Sequence, residues 1–157
     1  MRGLQRSRSV ESLVREALTL QAQGVAELVL ISQDTTRYGE DAGLGREGLA
    51  TLVRALVRDT SFPWIRFLYA YPKTLDPSVL RLMAEEPRFV PYVDIPLQHV
   101  SRSVLSAMRR GGDPESYARL FAGMRETVPG IALRTTFIVG FPSETEKDFE
   151  ELLAFVK

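Results

Sequence analysis

The sequence predicts an α/β fold in which about four parallel strands alternate with flanking helices. Short apolar runs recur along the chain, and segments whose apolar residues repeat at helical spacing lie between them. Because each run is almost continuously apolar, we expect a parallel sheet covered by helices. We identify no dinucleotide fingerprint, and no phosphate loop with Lys-Ser or Lys-Thr, after any strand, which favours a barrel or partial (β/α) barrel over Rossmann and P-loop folds.

The first helix is predicted between Ser9 and Gln23. Ser9 is a good N-cap, and Gly24 follows at a position typical of a helix end. Six apolar residues fall at helical spacing in this segment: Val10, Leu13, Val14, Ala17, Leu18 and Leu20.

The first strand is predicted at 28–31, and a polar and then glycine-rich loop follows it up to residue 45. Asp76-Pro77 and Asp113-Pro114 predict helix starts, and Ser143 followed by Glu146 resembles a capping box. The remaining helices are expected at about 47–58, 76–85, 101–109, 114–127 and 145–157, and the remaining strands at about 64–70, 91–97 and 131–139.

Composition excludes several classes of function. The 157 residues include 20 Lys and Arg and 20 Asp and Glu, and this zero formal net charge disfavours general nucleic-acid binding. No apolar stretch approaches the roughly 20 residues of a membrane span, so we expect a cytoplasmic protein without a membrane partner. With no cysteine and one histidine, these residues exclude disulfides, thiolate-held zinc, thiolate-held iron–sulfur centres and cysteine nucleophiles.

Three charged residues are predicted to share one face of neighbouring strands. Alternation along the strands puts Arg66, Asp94 and Arg134 on the side that faces a barrel interior. Charges there need one another or a polar ligand, because an unpaired buried charge is costly. Two interpretations remain open: an Arg–Asp–Arg network that fixes the strands, or a hydrated cavity in which Arg134 grips a ligand carboxylate.

The ends of the strands carry further candidates. Ser32, Gln33 and Asp34 offer hydroxyl, carboxamide and carboxylate groups, either to a ligand or to the next turn as caps. His99 lacks a cysteine or second histidine nearby, so we expect a structural role rather than a metal ligand. Gly140 permits either a plain strand-to-helix turn or the close approach of a planar ligand.

Five motifs occur in order over nearly the whole chain: Arg2–Arg8, Ile31–Gly39, Tyr69–Pro72, Asp94–His99 and Arg134–Pro142. Together they resemble the motifs of the radical S-adenosylmethionine (SAM) methylthiotransferases. The Gln-Asp-Thr-Thr and Pro-Leu-Gln-His forms within them resemble the RimO-type branch, which modifies an aspartate of a small-subunit ribosomal protein.

The resemblance implies a partial barrel of the radical SAM type. Family members hold a [4Fe-4S] cluster on a Cys-x-x-x-Cys-x-x-Cys loop after their first strand, and SAM bound to that cluster is cleaved to a 5'-deoxyadenosyl radical. A second cluster on an N-terminal domain takes part in sulfur delivery, and a C-terminal domain helps to recognise the target.

We expect a fragment truncated at both ends. The chain starts with a helix that has no preceding strand, and it stops at Lys157 inside an amphipathic helix. The Arg-Gly element that follows the cysteine loop in the family begins here at residue 2. Residues 1–157 are thus expected to form a single incomplete core domain, inactive alone, without the N-terminal cluster domain, the cysteine loop and the C-terminal domain.

The resemblance also assigns positions around SAM. Ser32, Gln33 and Asp34 correspond to the loop that holds the methionyl amino group, and Gln98 corresponds to a position near the ribose. No residue of this chain is assigned a catalytic or metal-binding role.

The last motif is implied to hold the rest of the cofactor. Arg134 and Thr136 correspond to positions near the carboxylate or ribose, and Ile138 and Gly140 match the strand motif that receives adenine. Thr136 replaces the first glycine that is usual in that motif, and the acidic residue is displaced by one position, to Glu144.

The leading functional hypothesis is the central part of a RimO-type methylthiotransferase whose substrate is a small-subunit ribosomal protein, with ribosome contact as a further expectation. One alternative is the transfer-RNA branch of the same family. Another is a cluster-less module that binds a nucleoside or a protein partner on the same fold. An aldolase-like barrel enzyme is disfavoured, because no strand-end lysine is available for a Schiff base.

Overall fold

The computed structural model describes residues 3–157, so Arg2, the first residue of the first motif, lies outside the described residues. Within this range no helix is long and apolar enough to cross a membrane. The helices are Val10–Ala22 (α1), Gly48–Asp59 (α2), Pro77–Glu85 (α3), Arg102–Ala107 (α4), Pro114–Thr127 (α5) and Glu146–Val156 (α6). The strands are Glu27–Leu30 (β1), Trp64–Phe67 (β2), Tyr92–Asp94 (β3) and Ala132–Arg134 (β4).

The strands pair in parallel, which confirms the predicted α/β alternation. β1 pairs with β2, and β3 pairs with β4, as two two-stranded sheets. An isolated parallel bridge between Ile65 and Phe89 connects the two pairs, together with a 2.8 Å hydrogen bond from the Ala70 N–H to the Asp94 carbonyl. The strands therefore lie side by side in chain order.

β3 and β4 are only three residues long, shorter than predicted. Pro96 has no N–H to donate, and Gln98 has a φ of +73°, so a regular ladder cannot continue beyond β3. The two segments still run together through two hydrogen bonds. The Gln98 N–H donates to the Thr136 carbonyl (2.9 Å), and the Ile138 N–H donates to the Gln98 carbonyl (2.8 Å).

The start of α6 differs from the prediction. Ser143 has a φ of +77°, which is incompatible with the extended backbone of an N-cap, so the predicted capping box of Ser143 and Glu146 was wrong. Thr145 is the N-cap, and it forms a capping box with Asp148. The other predicted N-caps are confirmed: Ser9, Asp76 and Asp113.

Side chains of the strands alternate between two faces, as predicted. One face packs against the helices and forms the core, which includes Leu28, Ile65, Phe67, Val93 and Ile95. The opposite side, here called the open face, is more accessible and carries most of the polar strand residues. The open face comprises Val29, Trp64, Arg66, Tyr92, Asp94, Arg134 and Thr136.

The expectation that no nucleotide-binding fingerprint follows a strand needs correction, because three glycines before α2 have its spacing. Gly43, Gly45 and Gly48 lie in the long loop after β1, however, rather than in the turn directly after the strand. A Cβ at Gly48 would lie 1.9 Å from the Tyr38 carbonyl oxygen. Close packing therefore accounts for this last glycine.

Candidate functional site

Strained backbone is concentrated beyond the carboxyl ends of the strands. Among the described residues, four non-glycine residues have positive φ: Tyr69, Gln98, Arg109 and Ser143. Tyr69 follows β2, Gln98 follows β3, Ser143 follows β4, and Arg109 ends α4. The left-handed conformation costs roughly 1–2 kcal/mol per residue. Because such strain tends to cluster at ligand sites, this edge is the candidate functional site.

The open face contains an ion pair between β3 and β4. The Asp94 carboxylate is only 4% exposed, and its Oδ1 lies 3.8 Å from Nε of Arg134. Its Oδ2 accepts a 3.3 Å hydrogen bond from the Tyr69 N–H. Hydrogen bonding with Tyr92 and the charge of Asp94 raise the pKa of Arg134. The Arg134 side chain is nevertheless 61% exposed, so most of its guanidinium faces solvent.

Arg66 has different partners from those expected. It lies on the open face with Asp94 and Arg134, but it pairs with Glu27 and its guanidinium carbon lies 5.0 Å from the centroid of the Tyr92 ring. The three predicted charges thus form two separate ion pairs, with Tyr92 between them. Neither arginine is buried without compensation.

The loop after β1 is held together by Asp34. The Asp34 carboxylate accepts hydrogen bonds from the hydroxyls of Thr36 and Thr74, the latter at 3.2 Å. Asp34 makes no side-chain cap of the turn Thr35–Arg37, so the structural alternative of capping the next turn was wrong for this residue, and its carboxylate instead ties the loop to Thr74. Ser32 and Gln33 are exposed, and all three predicted residues line a cavity of about 950 Å³ between α1, β1 and the segment before α1.

Tyr69 connects this loop to the open face. Its carbonyl accepts a 3.2 Å hydrogen bond from the Thr35 N–H, while its own N–H binds Asp94. The residue adopts φ +60° in doing so. Sequence reasoning assigned no role to Tyr69, and its only signal was its place in the motif Tyr69–Pro72.

Gln98 and Ile138 line a second, smaller cleft of about 410 Å³. Thr136 is exposed on the adjoining segment, and Gly140 has φ +75° with open space where a Cβ would lie. The structure thus brings Gln98, Thr136 and Ile138 together. Ser32, Gln33 and Asp34 line the other cavity instead.

His99 is buried where the segment after β3 meets the loop after β4. The ring is fully buried, and its Nδ1 accepts a 3.0 Å hydrogen bond from the Ser101 N–H. Nε2 lies 3.8 Å from Oε1 of Glu144, whose Oε2 accepts a 3.0 Å hydrogen bond from the Phe141 N–H. His99 thus makes a local structural contact, and its expected role as a structural residue rather than a metal ligand stays a prediction.

A second contact joins the same two segments. Asp148, in the first turn of α6, accepts hydrogen bonds from the hydroxyls of Ser101 and Ser103 at the start of α4. It also accepts a 2.9 Å hydrogen bond from the Thr145 N–H. These donors, with the two serine hydroxyls first, hold the pKa of Asp148 well below its usual range. We call this group of four residues the α4–α6 clasp.

Comparison with known proteins places the chain in a family. The model of the radical SAM superfamily matches residues 1–156. The chain belongs to the radical SAM superfamily. It is 48% identical over 157 residues to a protein of Koribacter versatilis, 49% identical over 158 residues to one of Solibacter usitatus and 47% identical over 156 residues to one of Moorella thermoacetica. Each of these relatives bears the name ribosomal protein uS12 methylthiotransferase RimO.

These alignments cover 99–100% of this radical SAM chain but 31%, 34% and 36% of the three relatives. The chain therefore spans about a third of the length of the curated relatives it matches. Among residues 3–157, no group of three or more His, Cys, Asp or Glu side chains is arranged to hold a metal ion. The sequence contains no cysteine, so its residues do not fit the iron–sulfur cluster that the superfamily implies.

The residues do fit SAM by their donor chemistry. Arg134 offers guanidinium donors suited to a carboxylate, and the exposed Ser32, Gln33 and Thr136 offer hydroxyl and carboxamide groups suited to an ammonium or a ribose. The apolar Ile138 and the open backbone of Gly140 suit a planar base.

Proposed function

We propose that this chain is the cofactor-binding central part of a methylthiotransferase that adds a methylthio group to an aspartate of ribosomal protein uS12. The observation that supports this proposal most strongly is the identity of 47–50% along nearly the whole chain to several relatives that bear that name. In this proposal the four parallel strands belong to a partial (β/α) barrel, and residues 1–157 form one incomplete core domain. The enzyme acts in the cytoplasm, and uS12, alone or on the ribosome, is its protein partner.

SAM lies along the carboxyl ends of the strands in this proposal. Ser32, Gln33 and Asp34 hold the methionyl amino group, while Gln98 contacts the ribose. Asp34 is fixed by two threonine hydroxyls, which supports a preorganised loop. Tyr69 sets the distance between this loop and the open face through its two backbone hydrogen bonds.

Residues of β4 and the segment after it complete the site. Asp94 orients Arg134 from one side, and the exposed guanidinium binds the carboxylate of the cofactor. Thr136 contacts the carboxylate or ribose, and Ile138 and Gly140 receive the adenine. Bound SAM supplies the radical chemistry of the superfamily, and no residue of this chain is assigned to that step.

A chimera tests the proposal directly. The matching segment of the Koribacter versatilis relative is replaced by these 157 residues, and the purified chimera is reconstituted with iron and sulfide and incubated with SAM and uS12. Mass spectrometry of uS12 should show the gain of one methylthio group on an aspartate. The unaltered relative is the positive control, and the chimera carrying Arg134→Ala should lose most of the product.

The chimera can also contradict the proposal. A folded, SAM-binding chimera that leaves uS12 unmodified would refute the substrate, and methylthiolation of transfer RNA in its place would assign the chain to the other branch.

A cluster-less binding module is the second candidate, because the sequence has no cysteine. Calorimetry on the 157-residue chain without iron separates the two functions. The module retains affinity for SAM or a nucleoside, whereas the methylthiotransferase core loses the chelation of SAM by iron and binds it far more weakly.

A further inference from the structure

The cleft beside Gln98 has one cationic wall. Its volume is about 410 Å³, and it lies between the end of α4 and the segments that follow β3 and β4. Gln98, Ile138 and Phe141 form one side, and the segment Met108–Arg110 forms the other. Two adjacent arginines thus face a cleft whose opposite wall carries residues assigned to the cofactor.

Arg110 anchors this segment to the fold. Its guanidinium carbon lies 5.1 Å from the centroid of the Tyr71 ring, and its NH2 group donates a 3.2 Å hydrogen bond to the Pro96 carbonyl. Both contacts fix the position of the loop that precedes Gly111. The side chain of Arg110 is therefore already engaged.

Arg109 has no such partner. Eight arginine–carboxylate ion pairs occur among residues 3–157, and Arg109 belongs to none of them, although Arg102 on the same helix pairs with Asp113 and Arg134 across the sheet pairs with Asp94. Its side chain is exposed at the rim of the cleft. A free guanidinium beside a cleft is suited to a bidentate hold on a carboxylate.

The backbone at Arg109 supports a role for its side chain. The Arg109 N–H bonds to the Ser106 carbonyl (2.9 Å) and the Arg110 N–H to the Leu105 carbonyl (2.7 Å), the pattern of a Schellman helix end. Arg109 occupies its left-handed position with φ +56°, where glycine is usual and free of strain. A strained arginine at this position indicates that the side chain is used.

We propose that Arg109 binds a ligand carboxylate in this cleft. Two carboxylates fit the proposed function, on which this inference rests: the methionyl carboxylate of SAM, which Arg109 would then hold together with Arg134 or in its place, and the side-chain carboxylate of the target aspartate. Either carboxylate would lie in the cleft, between Gln98 and Arg109. Arg134 and Arg109 would then hold ligand groups from opposite sides of the Gln98 segment.

The test uses the protein at the full natural length of its gene, reconstituted with iron and sulfide. Arg109→Gly removes the guanidinium and relieves the backbone strain, Arg109→Lys keeps the charge, and Arg54→Gln on the exposed side of α2 is a matched loss of charge. Equilibrium dialysis gives the dissociation constant of SAM, a binding titration gives that of uS12, and a thermal melt gives stability.

We expect Arg109→Gly to be at least as thermally stable as the wild type and to bind one of the two ligands about tenfold to a hundredfold more weakly. Arg109→Lys should lose less affinity than Arg109→Gly, and Arg54→Gln none. Weaker binding of SAM assigns Arg109 to the cofactor carboxylate, and weaker binding of uS12 alone assigns it to the substrate. Unchanged binding of both ligands by Arg109→Gly would make Arg109 a helix-end residue only and overturn the proposal.

Both measurements are equilibrium binding, so neither depends on turnover. If the protein binds SAM but does not modify uS12, the proposed function fails, while the SAM titration still decides whether Arg109 binds the carboxylate of the cofactor.

Discussion

The two faces of the strands use different interactions. On the helix-covered face, Ile65, Phe67 and Val93 are fully buried among apolar neighbours. On the open face of the same strands, Trp64 is 54% exposed and the charged residues are held by specific pairs such as Asp94 with Arg134. Apolar burial has no preferred direction, whereas each open-face pair has a defined geometry.

This difference separates stability from ligand binding. Substitutions on the helix-covered face should act mainly on folding, because each leaves a cavity in the core. Substitutions of the exposed open-face side chains should act mainly on binding of the proposed ligand, because these side chains already contact solvent, whereas the buried Asp94 should also affect stability.

Phe67→Ala and Trp64→Ala compare the two faces on one strand. Phe67 is fully buried, so its truncation should reduce the free energy of unfolding by about 3–5 kcal/mol. Trp64 is larger but more than half exposed, so Trp64→Ala should reduce the free energy of unfolding much less. Urea denaturation measures both values. Equal losses for the two variants would show that the open face is as well packed as the core.

Asp94→Asn removes the buried charge of the open face while preserving its shape. The variant weakens the hydrogen bond from the Tyr69 N–H and the contact with Arg134, so we expect a loss of about 1–3 kcal/mol in the free energy of unfolding. Urea denaturation again provides the measurement, and Glu115→Gln, on the exposed surface of α5, is the control. A stabilised Asp94→Asn variant would mean that desolvation of the carboxylate outweighs its contacts.

Arg134→Ala should separate the two properties most clearly. Its side chain is mostly exposed, so we expect only a small shift in the urea midpoint, together with about a tenfold or greater loss of SAM affinity in the full-length protein. Equilibrium dialysis with SAM and urea denaturation provide the two readouts. A large loss of stability with unchanged SAM binding would support the alternative in which the ion pair only fixes the strands.

The sequence predicted the alternation of the elements well, because that alternation depends on local hydrophobic pattern and capping. Leu28, Ile65 and Val93 were all expected in strands, and Asp113-Pro114 was expected to begin a helix. The same local pattern could not show that Arg66 pairs with Glu27 instead of Asp94, because the choice depends on which strands become neighbours.

The strained backbone conformations also could not be predicted from the local sequence pattern. Gln98 and Ser143 take left-handed conformations that their residue types do not favour, and only the surrounding contacts hold them there. Because the left-handed backbone of Ser143 could not be predicted, the helix cap was assigned to the wrong residue. The left-handed backbone of Tyr69 could not be predicted either, so the hydrogen bonds of Tyr69 to Thr35 and Asp94 were not expected. The individual positions assigned to SAM stay predictions.

The smallest effect is expected at the α4–α6 clasp, a polar contact on the side of the molecule that is otherwise held by apolar packing. Because hydrogen bonds lower the pKa of folded Asp148 below its unfolded value of about 3.9, its contribution to stability is present above pH 4 and is lost as the pH falls through the folded pKa. Asp148→Asn should therefore be less stable than the wild type by a constant amount from about pH 7 to about pH 5, and the difference should shrink below about pH 4. Thermal melts of both proteins across this range measure it. If the stability difference between the wild type and Asp148→Asn instead grew on acidification, the pKa of Asp148 would have to be raised on folding. The ionised carboxylate of Asp148 would then not stabilise the clasp.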